Sequence, residues 1–306
     1  MRIVFMGTPD FALPALNVLF SSCHEISAIV SQPDKPGNRG EISFSPVKQF
    51  ALDNNIPLYQ FSKIRLEGAS ILSDISPDVV ITAAYGQILS REIIDIPKHG
   101  ILNIHASLLP KYRGSSPIQW AIINGEKTTG ITIMQTAEGL DCGDILMQES
   151  VDILSSDDAE NMFQKLSILG GQCILSCLDK LEKGQLLPVK QVENEASYFP
   201  MLKKTDGKIN WSDSATNIYN KVRGMAVWPV AYTSLNGKSI KIYKAELCGI
   251  DFDSNIGEVY VSHKDIFVKT GNGVLKILEL QPEGKRKMLA HEYVNGAKLL
   301  GGETFI

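Results

Sequence analysis

The chain has no cysteine pairs to staple it, no long apolar run to anchor it, and no glycine-rich fingerprint for a dinucleotide. Its five cysteines are scattered and include no C-x-x-C. That usage fits a reducing compartment, so a cytoplasmic protein without disulfides is expected. Cys173 and Cys177 stand one helical turn apart, yet no second ligand pair at zinc spacing accompanies them. Two core thiols on one helix are expected, and no metal. No apolar stretch approaches the roughly 20 residues that span a bilayer, so no membrane partner is expected. The opening Met1-Arg2-Ile3-Val4-Phe5-Met6-Gly7 lacks the apolar core and cleavage site of a signal peptide and reads as a buried strand. The turn after it holds one glycine, Gly7, where a G-x-G-x-x-G site needs three. Internal repeats and low-complexity segments are also missing.

What is present suffices for two domains: 306 residues, 44% of them apolar. The net charge of −4 has the wrong sign for a nucleic-acid binder, but it is unevenly spread. Residues 203–306 carry 13 Lys and 2 Arg against 11 Asp plus Glu, or +4. Residues 1–202 carry 15 basic against 23 acidic groups, or −8. A basic back half on an acidic front half suits a polyanionic partner, although asymmetry of this size also arises without function.

Strand and helix signals alternate through the front half, as in a parallel sheet of βαβ units. Strands are expected at 2–6, 26–30, near Leu58, at Val79–Ala84 and Ile101–His105, and at Gly130–Gln135. Helices are expected after Thr8-Pro9, at 46–55, 66–75, Pro117–Asn124 and 157–183. In the last of these Met162, Leu166, Leu169, Ile174 and Leu178 face inward, and Gly184 ends it. The segment from Ser31 to Ser45, with its prolines and glycines, is a long loop. Residues 185–205 hold two prolines and no sustained period, and read as a linker. A short helix near 214–224 and five alternating runs follow, with an Asn236-Gly237 hairpin signal between the first two. They predict a small OB-like β-barrel, a common nucleic-acid platform. Lys285-Arg286-Lys287 is a basic spot of the kind a solvated turn also carries.

The stretch richest in chemistry runs from Ile101 to Leu146. In Ile101-Leu102-Asn103-Ile104-His105 the faces alternate, so Asn103 and His105 project together at the carboxyl end of a strand. Pro110 and Gly114 mark the loop beyond. Ligands of open α/β sheets bind at that edge. An Asn amide can donate to an oxygen that becomes negative in a transition state, and a His can move protons near neutral pH. Asp141, flanked by Gly139 and Gly143, is the candidate partner for the His. Without a Ser or Cys elbow the trio suits direct attack of an amine on a carbonyl. A solvated pair capping a loop is the bland alternative at a strand end.

The longer string decides between them. Asn-Ile-His-x-Ser-Leu-Leu-Pro-x-Tyr-Arg-Gly at 103–114 with Gly-Leu-Asp-x-Gly-Asp-Ile-Leu at 139–146 resembles the folate-dependent formyltransferases. Gly7-Thr8-Pro9-Asp10-Phe11, Gln32-Pro33-Asp34 and the trailing domain point to the branch whose acceptor is methionyl-tRNA. The resemblance spans nearly the whole chain, strongest over residues 1–150. It implies a Rossmann-like catalytic domain at 1–184, a linker at 185–205 and an OB-like tRNA-binding domain at 206–306. It implies 10-formyltetrahydrofolate as donor and the α-amino group of initiator methionyl-tRNA as acceptor, in a monomer. A small amine, such as an amino-sugar nucleotide or purine precursor, is the alternative acceptor. Asn103 and a protonated His105 would hold the oxyanion, with Asp141 orienting His105 and helping relay the proton. The donor pocket would take Gly86, Gln87 and Leu89, with backbone groups of Gln87 and Leu89 lining the pterin. Ser107, Leu108, Leu109, Pro110, Gly139 and Leu140 would complete it. Arg39 on the 31–45 loop would contact tRNA, although Glu41-Ile42 follow it where the family carries lysines. Lys203 and Lys204 would join it, near a linker lysine that is Met201 here.

Overall fold

Buried aliphatic runs set the first sheet. The computed structural model describes residues 1–34, 43–297 and 299–306. By packing it falls into two units. The first comprises Met1–Gly114, Thr128–Val151 and Phe163–Tyr198, and the second Ser115–Lys127, Asp152–Met162 and Phe199–Ile306.

In the first unit, strands β1 (Arg2–Gly7), β2 (Glu25–Ser31), β3 (Leu58–Gln60), β4 (Val79–Ala83) and β5 (Ile101–His105) alternate with helices. The helices are α1 (Leu13–Phe20), α2 (Pro46–Asp53), α3 (Ile64–Glu67), α4 (Ala69–Ile75) and α5 (Arg91–Ile94). After the short β6 (Arg113–Gly114) and α6 (Pro117–Ile123), which belongs to the second unit, come β7 (Thr128–Gln135), β8 (Ile145–Asp152) and the long helix α7 (Ala159–Glu182), whose first turn also belongs to the second unit. The sheet order is β3-β2-β1-β4-β5-β7-β8. Strands β1 to β5 are mutually parallel, and β7 runs antiparallel to β5. The order reverses between β1 and β4, which opens a crevice at their carboxyl ends.

Several elements depart from the sequence reading. The helix expected over 66–75 is two short helices meeting at Gly68, whose N–H caps the first by donating to the Ile64 carbonyl. Strand β8 has no sequence counterpart. It lies at the sheet edge with Gln148 to Ser150 successively exposed, so the alternation that betrays a strand is missing. The linker segment also has structure: a 3-10 turn at Glu193–Glu195, the short strand β9 (Tyr198–Phe199) and a 3-10 turn at Lys204–Gly207.

Helix α7 buries Met162, Leu166, Ile174 and Leu178 as expected, with Leu169 half-buried. Glycine in mid-helix costs about 1 kcal/mol relative to alanine. Gly170 and Gly171 accept that cost to bring the helix down onto the sheet. A Cβ on Gly170 would lie 2.9 Å from Ile104 Cγ2, and one on Gly171 3.0 Å from the Pro14 carbonyl oxygen.

The second unit holds α8 (Ala215–Gly224), β10 (Ala231–Leu235), β11 (Lys238–Cys248), β12 (Val259–Ser262), β13 (Asp265–Lys269), β14 (Val274–Pro282), β15 (Met288–Leu289) and α9 (Ala290–Ala297). Its antiparallel sheet runs β10-β11-β14-β13-β12. Asn236 and Gly237 both have positive φ, as a type I′ hairpin requires. The two edge strands are sealed by residues 303–306. Ser234 and Ile306 exchange backbone hydrogen bonds of 2.9 and 3.0 Å, while Val259 N donates to Glu303 O at 2.8 Å. Phe305 N donates to Gly257 O at 2.9 Å, and its ring, 2% exposed, meets Trp211 at 5.8 Å. One short segment thus covers both open edges of the OB-like barrel and plugs its core. Phe305→Ala should therefore cost roughly 3–5 kcal/mol in a urea titration of the full chain. A loss below about 1 kcal/mol, ordinary for a surface site, would mean that the segment seals nothing.

Candidate active site

The register of β4 against β5 creates the site. Thr82 pairs with Asn103, and Ala83 with Ile104. Leu102 and Ile104 point into the buried layer, leaving Asn103 and His105 on the opposite face. The Thr82 hydroxyl donates to Asn103 Oδ1 at 2.8 Å, which turns the Nδ2 amino group outward. Among the described residues no protein acceptor faces Nδ2.

His105 is buried, and its Nε2 lies 2.9 Å from the Tyr112 carbonyl oxygen. A carbonyl only accepts, so Nε2 carries the hydrogen and Nδ1 is left for chemistry. Nδ1 sits 3.8 Å from Asp141 Oδ2, close enough for Coulomb attraction to a protonated ring but longer than a hydrogen bond. The same Oδ2 accepts from Gly114 N at 2.8 Å. Asp141 holds a left-handed backbone, φ +50°, of the sort that surrounding contacts must enforce. The structure therefore brings Asn103, His105 and Asp141 together, with the carbonyl of Tyr112 rather than Asp141 fixing the imidazole tautomer. A backbone carbonyl leaves no trace in residue type, so no sequence signal could have found it. Thr82 was also missed; a threonine one register step across from the amide is visible only once the strands are paired.

The expected donor residues divide by role. Helix α5 begins only at Arg91, so Gly86 to Leu89 form a turn at the carboxyl end of β4, and Gly86 takes φ +79°. The Gln87 side chain is spent on the fold: Oε1 accepts from Ile64 N at 2.8 Å and Nε2 donates to Phe61 O at 2.8 Å. Leu89 packs against the core while Ile88 is 78% exposed. The Ser107 hydroxyl donates to Lys111 O at 2.7 Å, and Leu109 is buried. Leu108 and Pro110 are half-buried, and Leu140 is exposed beside Gly139. Lys203 and Lys204 are exposed without ion-pair partners among the described residues. Arg39 lies outside the described residues. The basic spot is largely paired off, Lys287 with Glu279 at 2.6 Å and Arg286 with Glu292 at 3.2 Å.

Among the described residues no group of three or more His, Cys, Asp and Glu is placed to hold a metal, and no helix is long and apolar enough to cross a membrane. Cys173 and Cys177 are core thiols, which burial pushes up to about 11 and about 12.

Fold and sequence together define a formyl-transferring class. Residues 1–178 match the formyl transferase family model, and residues 201–298 the model of the formyl transferase C-terminal domain. An N-formyltransferase from Helicobacter canadensis, solved with folinic acid and dTDP-3-aminofucose, shares the fold at TM-score 0.71 and 20% identity over 94% of this chain and 100% of that one. HypX from Aquifex aeolicus, solved with tetrahydrofolic acid, does so at 0.67 and 19% over 98% of this chain, which spans about half of that protein (47%). The methionyl-tRNA formyltransferase of Caldanaerobacter subterraneus is 46% identical over 99% of each chain. This chain belongs to the methionyl-tRNA formyltransferase family.

The Thr82 hydroxyl aims the Asn103 amide, so Thr82→Val should lower turnover by about tenfold while the protein stays folded. That is a share of the roughly 10²–10³ attached to losing a comparable oxyanion donor outright. Steady-state kinetics beside a thermal melt check it, and unchanged turnover would remove Thr82 from the account.

Proposed function

We propose that the enzyme moves the formyl group of 10-formyltetrahydrofolate onto the α-amino group of initiator methionyl-tRNA, in the cytoplasm where translation starts. The observation that carries this reading is the pairing of an amide whose Nδ2 meets no acceptor among the described residues with a buried imidazole, side by side at the carboxyl edge of β5. The amine nitrogen attacks the formyl carbon, and the carbonyl electron pair moves to oxygen. Asn103 Nδ2–H donates to that oxygen as it becomes negative, an interaction made fully only in the transition state. His105 Nδ1 takes the proton that the attacking nitrogen sheds, and the imidazolium faces the Asp141 carboxylate. That proton passes to the folate nitrogen as its bond to the formyl carbon breaks.

The donor would lie against the 86–89 turn, where hydrogen bonds within the described protein leave the backbone N–H groups of Gln87 and Leu89 free, with Ser107–Pro110 and Gly139–Leu140 around it. The catalytic role falls to residues 1–184. Residues 206–306, with the positive charge of the back half, would carry the RNA across the 185–205 connection. Arg39, Lys203 and Lys204 would meet its phosphates.

Asn103→Ala should cut turnover by roughly 10²–10³ while donor affinity stays near wild type. Formylation of charged initiator tRNA, with donor binding measured separately, reads both. Near-normal turnover would sink the mechanism. Arg39→Ala should spare the donor and weaken tRNA, lowering the salt slope of tRNA binding by about one unit. Lost donor affinity with unchanged tRNA use would refute that assignment.

A further inference from the structure

We infer that Gln191 is a positioning residue of this enzyme, a brace that fixes the Asp141 loop through the buried guanidinium of Arg113. The inference rests on the formyl-transfer reading of Asn103, His105 and Asp141 given above. It adds a segment that none of that chemistry requires by residue type.

Arg113 is 1% exposed, and a buried guanidinium has to be answered group by group. Its Nη1 and Nη2 donate to the Glu193 carboxylate at 3.0 and 2.9 Å, and Nη1 also meets the Tyr198 hydroxyl. Its Nε donates to Gln191 Oε1 at 3.0 Å. The other end of that amide, Nε2, donates to Asp141 O at 2.8 Å and to Gly143 O at 2.7 Å. The orientation of the amide is forced. A guanidinium only donates and carbonyls only accept, so the oxygen must face Arg113 and the amino group must face the loop. Both Nε2 hydrogens are then used. Gly114, the residue after Arg113, supplies the N–H that holds Asp141 Oδ2. Asp141 is thus gripped at its carboxylate from residue 114 and at its carbonyl from Gln191.

The grip has something to hold. Asp141 sits at φ +50°, a conformation that relaxes unless opposed, beside the turn that Gly139 makes at +123°. Gly143 is fixed from behind, since a Cβ there would fall 1.6 Å from the Gln135 carbonyl oxygen. Between these points lies Asp141, whose carbonyl Gln191 holds and whose carboxylate faces His105 Nδ1 at 3.8 Å. Misplacing a catalytic group by about 1 Å can cost on the order of 10²-fold in rate.

The test uses the full chain with Gln191→Glu and Gln191→Ala, each alone and combined with Asp141→Asn. Gln191→Glu keeps the length and the bond to Arg113 but turns carboxylate lone pairs toward two carbonyls. A merely structural role would lower its stability or loosen the loop and leave kcat at the wild-type value. The brace predicts instead a kcat lower by about 10–100-fold in both single variants. It predicts KM for the donor within about threefold, and faster amide exchange over residues 139–144. In the Asp141→Asn background the further loss should shrink to under about threefold, because residues acting as one unit are not additive. A kcat loss that persists undiminished in that background overturns the proposal. So does wild-type exchange in the loop of Gln191→Glu, or faster exchange with unchanged kcat. Loop exchange needs no substrate, so a wild-type chain that fails to formylate methionyl-tRNA would refute the functional reading and leave the brace separately decided.

Discussion

Side chains alternate along a strand, so the β4–β5 ladder must keep one register for the site to exist. With Thr82 opposite Asn103, the face that begins at Ile101 in the apolar core ends at Asn103 and His105. A slip of one residue would put Leu102 and Ile104 at the edge and bury an amide and an imidazole instead. The opposite face forbids the slip. Leu102 and Ile104 are buried there, and α7 presses on Ile104 through Gly170 with no room for a Cβ. The mid-helix Gly170, unfavourable for the helix by itself, is therefore part of how the polar pair is aimed.

The alternation that this register preserves was legible before any coordinates. Leu102 to His105 alternate apolar and polar, and Pro110, Gly114 and the glycines around Asp141 mark the loops. The parallel sheet, the long helix over 159–182 and the Asn236-Gly237 hairpin were legible for the same reason, since each has a period or a turn residue of its own. What escaped lacks both. Strand β8 is a half-exposed edge without alternation, and the imidazole's partner is the Tyr112 main chain. Residues 303–306 close the barrel edges through backbone groups, to which residue type is nearly blind. The segment 185–205 looked like a connection because it has no sustained period. Over 191–198 its order comes instead from single polar contacts to Arg113 and to the Asp141 loop.

Arg113 shows why such contacts are not incidental. A guanidinium removed from water is costly, and the cost is offset only if charge and hydrogen bonds surround it. Glu193 supplies the charge from an exposed position, and its carboxyl is held below the ordinary range first by the Arg113 hydrogen bond and then by Tyr198. A carboxyl lowered in this way stabilises the folded arrangement above its ordinary range, and that contribution fades as pH falls through the lowered value. Acid would thus loosen the 191–198 segment through Glu193 while Gln191, which does not titrate, stays bonded. The charged, exposed half of the clamp is weakened by solvent screening, whereas the half-buried amide half carries no charge to screen.

The same accounting bears on how an acidic chain meets the proposed polyanionic acceptor. Part of the basic charge in residues 203–306 is already committed within the second unit. Lys269 pairs with Asp251, Lys276 with Asp265, and Lys244 and Lys287 share Glu279. Pairs like these contribute little net field beyond a Debye length of about 8 Å at physiological salt. The formal +4 is therefore a poor guide to where phosphate is drawn. Uncommitted cations such as Lys203 and Lys204 matter more, because an exposed lysine without a carboxylate can release counterions on contact. Attraction would then be local rather than a property of the whole barrel, and a chain of net charge −4 can engage RNA without any broad basic face.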